Sequence, residues 1–247
     1  MVNRLLKYQL EDRKVDEGDT NKGWKLVWED NFDRDGSVDS EKWKFEYGAD
    51  CDLPYEERVY HTRDRLKDAR CQLFPCSKNG RLIIEAHQED FKEHAYTSAR
   101  LTSKASWTYG RLQIRAKLPK GRGLCAGIQM MPKKVTYTKG FMANGIISLD
   151  RGARVKETRI VSSIETAAYN YSISAPKTNS VIVDDIVSKF KIYTLDWTED
   201  TIQIYVGDAD NSLATSIFTY KKEGDSTKWP FDQAFYLAMG MSVLVNW

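Results

Sequence analysis

The stretch YTSARLTSKASWTYGRLQIRAKLPKGRGL, from Tyr96 to Leu124, decides the fold of this chain. Apolar and polar residues alternate through TSARLTSKASW (97–107) and YGRLQIRAKLP (109–119), which is the period of a β-strand with one buried face. Turn-forming residues such as Gly110, Pro119 and Gly121 interrupt the alternation. The stretch therefore predicts short β-strands separated by turns.

The same pattern recurs along the chain, while long helical periodicity is scarce. The other period-two segments are WKLVWEDNF, GRLIIEAHQED, GLCAGIQMMP, NGIISLD, TRIVSSIETAAYN, FKIYTLDWTED, TIQIYVGD and QAFYLAMGMSVLV. Many short strands with polar turns predict an all-β fold, a two-sheet antiparallel sandwich. A length of 247 residues suits a single domain of this type, so we predict one domain over residues 1–247.

Composition limits the partners of this domain. The 37 Lys and Arg against 35 Asp and Glu give a net charge of +2, which favours neither nucleic acid nor an anionic membrane. No apolar run is long enough to span a bilayer. The N-terminal segment MVNRLLKYQLEDRK lacks the apolar centre of a signal peptide, so either a leader has been removed or the protein is not exported.

The cysteines and histidines predict no metal site. Cys51, Cys71, Cys76 and Cys125 match no zinc spacing, and His61, His87 and His94 have no ligand-like spacing. Cys71 could form a disulfide with Cys76 or with Cys51, and Cys125 is predicted to be a buried free thiol within an apolar strand.

Several segments, in this order, resemble glycoside hydrolase family 16, the group of laminarinases, lichenases and β-glucan-recognition proteins. They are WKLVWEDNFD, YEERVYHT, the Tyr96–Leu124 stretch, YTLDWTEDTIQIYVGD and FDQAFYLAMGMSVLVNW, and together they cover most of residues 24–247. The resemblance implies a curved, concanavalin-like jelly-roll sandwich with a sugar-binding cleft on its concave face. It also implies an extracellular location and a polysaccharide or oligosaccharide partner.

The catalytic motif of that family is altered in MANGIISLD (142–150). Retaining glycosidases need two carboxyl groups about 5 Å apart, which the family places on one strand as E-x-D-x-E or E-x-D-x-x-E. Here the resemblance aligns Ile146 with the nucleophile, Ser148 with the orienting aspartate and Asp150 with the acid/base; the longer form puts Arg151 last. Isoleucine cannot form a glycosyl ester, so the sequence predicts no catalytic residues and a protein that is not an enzyme. Asp150 is then expected to be a turn or salt-bridge residue.

Other cleft positions differ from the family pattern as well. Cys125 and Gln129 replace two tryptophans, Glu165 replaces a histidine, Gly240 replaces an asparagine, and Leu244 and Val245 replace two glycines. The loss of stacking rings and polar partners weakens glycan binding. The candidate ligand-binding residues that we predict are Tyr55, Glu57, Arg100, Trp107, Tyr109, Gln129, Glu165 and Trp247.

The two ends of the chain suggest a relocated strand. The family closes with a strand resembling VDYVRVYQ, and this chain stops at Trp247, whereas VNRLLKYQ at its N-terminus is similar to that strand. We expect residues 1–10 to supply the closing strand, 11–23 a charged connector and 24–247 the family-like core, which is circularly permuted connectivity. Insertion into a neighbouring chain and a helical N-terminus are the alternatives. Asn3 replaces an aspartate near the calcium site of the family, so no calcium or other cofactor is predicted.

Three functions fit these observations. The first is a non-catalytic family member that recognises a β-glucan-type polysaccharide. The second is a structural protein that self-associates as a homo-oligomer, favoured by the apolar replacements Ile146, Leu244 and Val245. The third is a β-glucan hydrolase that uses Asp150 with Glu165 or another carboxylate.

Overall fold

The computed structural model describes residues 1–10, 23–48, 59–73, 80–121, 123–137, 140, 142–150, 158–173, 175, 177–208 and 214–243. The strands in chain order are β1 (Val2–Leu10), β2 (Trp24–Asp30), β3 (Trp43–Glu46), β4 (Val59–His61), β5 (Ala69–Gln72), β6 (Arg81–Ile84), β7 (His87–Phe91), β8 (His94–Ser98), β9 (Arg100–Ser103), β10 (Gly110–Ala116), β11 (Leu124–Pro132), β12 (Ile146–Asp150), β13 (Arg159–Glu165), β14 (Lys177–Ile182), β15 (Lys191–Trp197), β16 (Thr201–Asp208), β17 (Thr215–Lys221) and β18 (Phe235–Val243). Two 3-10 turns, Met142–Asn144 and Tyr171–Ile173, complete the described secondary structure. Within these ranges, no helical segment has the length and apolar content that a bilayer crossing requires.

Two large antiparallel sheets make up the sandwich. One has eight strands in the order β17-β16-β15-β10-β1-β6-β5, with β2 also paired to β1, and the other has seven in the order β14-β13-β12-β11-β18-β9-β3. The predicted all-β, two-sheet antiparallel jelly-roll sandwich is confirmed. The sequence did not predict the small third sheet β4-β8-β7, in which β4 and β8 run parallel.

Two predicted strands are each divided in the structure. GRLIIEAHQED becomes β6 and β7, and TSARLTSKASW spans β8 and β9. Ser98 ends β8 and Arg100 begins β9, so the chain changes sheets across Ala99, which is fully buried. Period-two alternation continues through such a change and therefore does not reveal it.

The core lies between the two large sheets and follows the alternation in the sequence. In β10, Leu112 and Ile114 are buried and the residue between them is half-buried. In β11, Ile128 and Met130 are buried and the residue between them is likewise half-buried. Aromatic rings fill one end, where Trp197 packs edge-on against Phe235 with ring centroids 5.3 Å apart. Burial of these apolar side chains is the main contribution to the stability of the sandwich.

The N-terminal strand β1 lies inside the eight-stranded sheet of its own chain. One edge pairs with β10 (Leu5 opposite Ile114) and the other pairs mainly with β2 (Leu5 opposite Asp30), with Val2 opposite Leu82 of β6. Leu5 is fully buried. The alternative of a helical N-terminus is therefore wrong.

Candidate functional site

The strand with the altered motif, β12, presents two different faces. Ile147 and Leu149 belong to the hydrophobic core between the sheets. Because successive side chains of a strand point to opposite faces, Ile146, Ser148 and Asp150 lie on the side of the seven-stranded sheet turned away from the core. We call this side the open face because it is turned away from the opposite sheet; the side chains of Ile146, Ser148 and Asp150 are themselves buried.

A row of small polar side chains crosses the open face. Gln129 of β11 stands opposite Ser148 of β12, and its amide nitrogen Nε2 lies 3.2 Å from Ser148 Oγ, to which it donates. The hydroxyls of Thr102 and Ser163 are buried without a hydrogen-bond partner among the described residues. Strand pairing places the following residues in this row: Lys44, Thr102, Ala238, Gln129, Ser148, Ser163 and Thr178.

Two carboxyl groups lie beside this row. Glu165 of β13 is directly opposite Ile146 of β12, which puts their Cβ atoms about 4.5–5.5 Å apart on the same face. Asp150 is fully buried, and its Oδ1 lies 3.5 Å from the backbone nitrogen of Val161. Asp150 is the last residue of β12, and its expected role as a turn or salt-bridge residue stays a prediction.

Arg100 lies on the same face, one row away. Its Nε is 3.8 Å from Glu46 Oε2 on β3, and Gly240 of β18 stands opposite it. A Cβ atom at position 240 would lie 3.2 Å from Arg100 Cγ and 3.3 Å from the carbonyl oxygen of Ala99. The glycine therefore makes room for the arginine side chain.

Sequence reasoning missed one aromatic residue on this face. Tyr236 of β18 alternates with the buried Phe235 and Leu237, and Lys44 Nζ lies 5.6 Å from its ring centroid. The alternation in FYLAMGMSV could have placed Tyr236 on the same face as Ala238. The face thus keeps one ring on which a sugar could stack.

Trp107 and Tyr109 do not join the open face, which corrects their predicted role in ligand binding. Trp107 packs edge-on against Trp28 with ring centroids 5.4 Å apart, and Tyr109 packs against Trp197 at 5.4 Å. Both partners belong to strands of the eight-stranded sheet, and both rings pack against the core. Burial of a large ring explains this placement better than contact with a ligand does.

Of the remaining predicted residues, two cysteines are described by the structure and the others lie outside its described ranges. Cys71 carries a free, buried thiol, so the hypothesised disulfide to Cys51 or Cys76 is not formed, and burial raises its pKa to about 12. Cys125 is half-buried rather than buried. The following predicted residues lie outside the described part of the chain: Cys51, Tyr55, Glu57, Cys76, Arg151, Leu244, Val245 and Trp247.

Acidic and metal-binding side chains do not cluster in the described part of the chain, where no group of three or more His, Cys, Asp or Glu side chains is close enough to hold a metal ion. Asp30, near the start of the sandwich, accepts hydrogen bonds from Trp43 Nε1 at 2.7 Å and from the backbone nitrogen of Phe32 at 2.9 Å.

Comparison with known families identifies the sandwich. The sequence model described as "Glycosyl hydrolases family 16" matches residues 71–244. The chain belongs to glycosyl hydrolase family 16. This confirms the resemblance derived from the sequence.

Individual family 16 relatives are similar over most of the chain. A "Beta-glucanase" from Rhodothermus marinus is 36% identical over 235 residues, which cover 94% of this chain and 80% of the relative. The X-ray structure of the laminarinase from Rhodothermus marinus has a TM-score of 0.80 at 35% identity and covers 89% of this chain and 86% of that chain. A "Beta-1,3-glucan-binding protein" from Penaeus monodon is 28% identical over 176 residues, 60% of this chain and 46% of the relative.

These relatives correct the prediction that the chain is not an enzyme. The glucanase similarity, at 36% identity over 94% of the chain, indicates an enzyme rather than a non-enzyme. The prediction rested on the alignment of Ile146 with the nucleophile. The sequence named Glu165 as a possible carboxylate but could not place it, and in the structure Glu165 of β13 lies directly across from Ile146.

Proposed function

We propose that this chain binds β-1,3-linked glucan on the open face and hydrolyses it. In this proposal Glu165 supplies the carboxylate for position 146 of β12, where the chain has isoleucine. The observation that carries the proposal is the direct pairing of Glu165 with Ile146. A neighbouring strand is about 4.8 Å away, so a glutamate side chain from β13 can extend over the position that a glutamate at 146 would occupy.

Asp150 is the second carboxyl group in this proposal. Hydrolysis of a glycosidic bond requires one carboxylic acid to protonate the leaving oxygen and one carboxylate to act as base or nucleophile. Asp150 shares the open face with Glu165. It lies four residues along β12 from Ile146, which is opposite Glu165, so the Cα atoms of Ile146 and Asp150 are about 13 Å apart at about 3.3 Å per residue. That spacing is too wide for a retaining pair, whose carboxyl groups lie about 5 Å apart, so we assign Asp150 the acid role and Glu165 the role of a base that activates water, as in an inverting enzyme.

The rest of the face supplies groups suited to a neutral sugar. Sugar hydroxyls both donate and accept hydrogen bonds, and Thr102, Gln129 and Ser163 offer donors and acceptors in one row. Tyr236 offers a ring for stacking on one side of the row, and Arg100, opposite Gly240, offers a charged donor on the other side. The central row carries no ring and no charge except Lys44 at its edge, which fits a flat, uncharged glucan segment. An extracellular location for this activity stays a prediction.

Binding and cleavage are tested together with laminarihexaose, a β-1,3-linked hexasaccharide. Calorimetry measures binding at 4 °C, and released reducing ends measure cleavage at 37 °C. Arg100→Ala is expected to weaken binding about tenfold, whereas Arg34→Ala, an exposed arginine that pairs with Asp39, leaves it unchanged. Absence of laminarihexaose binding would contradict the proposal, and binding without cleavage would contradict its catalytic part.

A further inference from the structure

A cavity separate from the open face lies between the two large sheets. It has a volume of about 530 Å³ and opens at the end where β1 begins and β10 ends. Small-molecule sites in proteins commonly have volumes of about 300–1,000 Å³. Its apolar lining comes from both sheets and from the segment after β10: Val2, Leu82, Ala116, Leu118, Leu124, Ala126, Ile128 and Met239.

Positive charge is concentrated on the rest of the lining. Arg70 and Glu85 line the cavity and form an ion pair with each other, so their charges balance. Lys117, half-buried, and Lys120, exposed, also line it and follow directly after β10. The two lysines therefore give the described lining a net positive charge.

We propose that this cavity binds a straight-chain carboxylate, with the alkyl chain between the sheets and the carboxylate at Lys117 and Lys120. Transfer of an alkyl chain from water to this apolar lining is favourable in proportion to the area buried. A sugar would bring many hydroxyls into walls that offer them few partners, and unpaired buried hydroxyls are costly. The site is distinct from the open face, because the β11 and β18 side chains that line it, such as Ile128 and Met239, point into the core between the sheets.

Chain length and head-group charge test the proposal in the intact chain. Octanoate, decanoate and dodecanoate are titrated by calorimetry below the concentrations at which they form micelles. Each buried methylene is expected to tighten binding about fourfold, so decanoate binds about 15-fold more tightly than octanoate. Decyltrimethylammonium, with the same chain and the opposite charge, is expected to bind at least tenfold more weakly than decanoate. Failure of dodecanoate to bind, equal affinities along the series, or equal binding of the cation would overturn the proposal.

Two variants locate the ligand. Ala126→Phe fills the cavity and is expected to abolish decanoate binding. Lys117→Met removes a cation at the mouth without changing the core; it is expected to weaken decanoate binding about tenfold and to leave decyltrimethylammonium binding unchanged. Lys134→Met is the matched control, since Lys134 is exposed and lies beyond the other end of β11. Unchanged decanoate binding by Lys117→Met, or equal loss in the Lys134→Met control, would contradict the assignment even if Ala126→Phe failed to fold.

Discussion

Glu165 and Ile146 face each other across strands β13 and β12, and both side chains are almost fully buried on the open face, with 2% and 4% of their surface exposed. The pair places a carboxylate beside Ile146, the position that the family resemblance aligns with the nucleophile. The glutamate comes from the next strand of the same sheet. This arrangement is the basis of the proposed hydrolysis.

Two paired glycines, Gly240 opposite Arg100 and Gly127 opposite Gly240, predict different effects of alanine substitution on glucan binding. Gly240 and Gly127 face each other in β18 and β11. A methyl group at 240 would meet the Ala99 carbonyl at 3.3 Å and Arg100 Cγ at 3.2 Å, whereas one at 127 would meet only the Gln129 side chain, at 3.8 Å. Gly240→Ala is expected to displace Arg100 and to weaken laminarihexaose binding severalfold in calorimetry, and Gly127→Ala to leave it unchanged. Equal affinities for the two variants would rule out a role for Gly240 in positioning Arg100.

Lys7 in β1 predicts a pH dependence of stability. Its side chain is 2% exposed, and its Nζ donates hydrogen bonds to the carbonyl oxygens of Tyr109 at 2.7 Å and Tyr8 at 3.0 Å. Burial lowers its pKa from 10.5 to about 7, and the charge of Asp196 opposes this shift. Above pH 7 the unfolded chain therefore binds more protons than the folded one, so stability rises with pH.

Urea unfolding between pH 7 and pH 8.5 measures this effect. Lys7 is expected to add about 1 kcal/mol to the free energy of unfolding for each pH unit in that window. Lys7→Met is expected to lower the slope by this amount, and the exposed control Lys134→Met to keep it. An equal slope in Lys7→Met and in the unaltered chain would show that another group is responsible. Below pH 7 both states hold the proton, and the contribution of Lys7 no longer changes with pH.

The place of β1 predicts which of its leucines stabilise the sandwich. We propose that residues 2–10 close the eight-stranded sheet within their own chain, in place of the closing strand of the family. Leu5→Ala is expected to lower the free energy of unfolding by about 2–5 kcal/mol, because a fully buried side chain leaves a cavity. Leu10→Ala, at a residue 39% exposed, is expected to change it by less than about 0.5 kcal/mol.

Light scattering across a concentration series distinguishes the alternatives for β1. A strand held in its own sheet predicts that size does not change with concentration. Growth with concentration, together with a small effect of Leu5→Ala in dilute solution, would instead indicate exchange of β1 between chains. Self-association as a homo-oligomer stays a prediction until that measurement.

The sequence determined the sandwich well and the site only in part. Alternation in the Tyr96–Leu124 stretch correctly placed Leu112 and Ile114 in the core, because burial on one face of a strand imposes that period. It could not say which face Trp107 would take, since that residue lies between β9 and β10, in an isolated β-bridge with Phe235. It named Glu165 without its partner, because the register between β12 and β13 depends on contacts that a single strand does not encode.

The release of reducing ends from laminarihexaose by Glu165→Gln is the most direct test of Glu165 as the carboxylate of a glucan hydrolase. The unaltered chain is expected to release reducing ends measurably, and Glu165→Gln is expected to lose roughly 100-fold to 10,000-fold of this activity while it still binds laminarihexaose. Glu199→Gln, at an exposed glutamate between β15 and β16, is expected to be unchanged. An unaltered chain that binds laminarihexaose and releases nothing, or a Glu165→Gln variant as active as the unaltered chain, would contradict this role of Glu165.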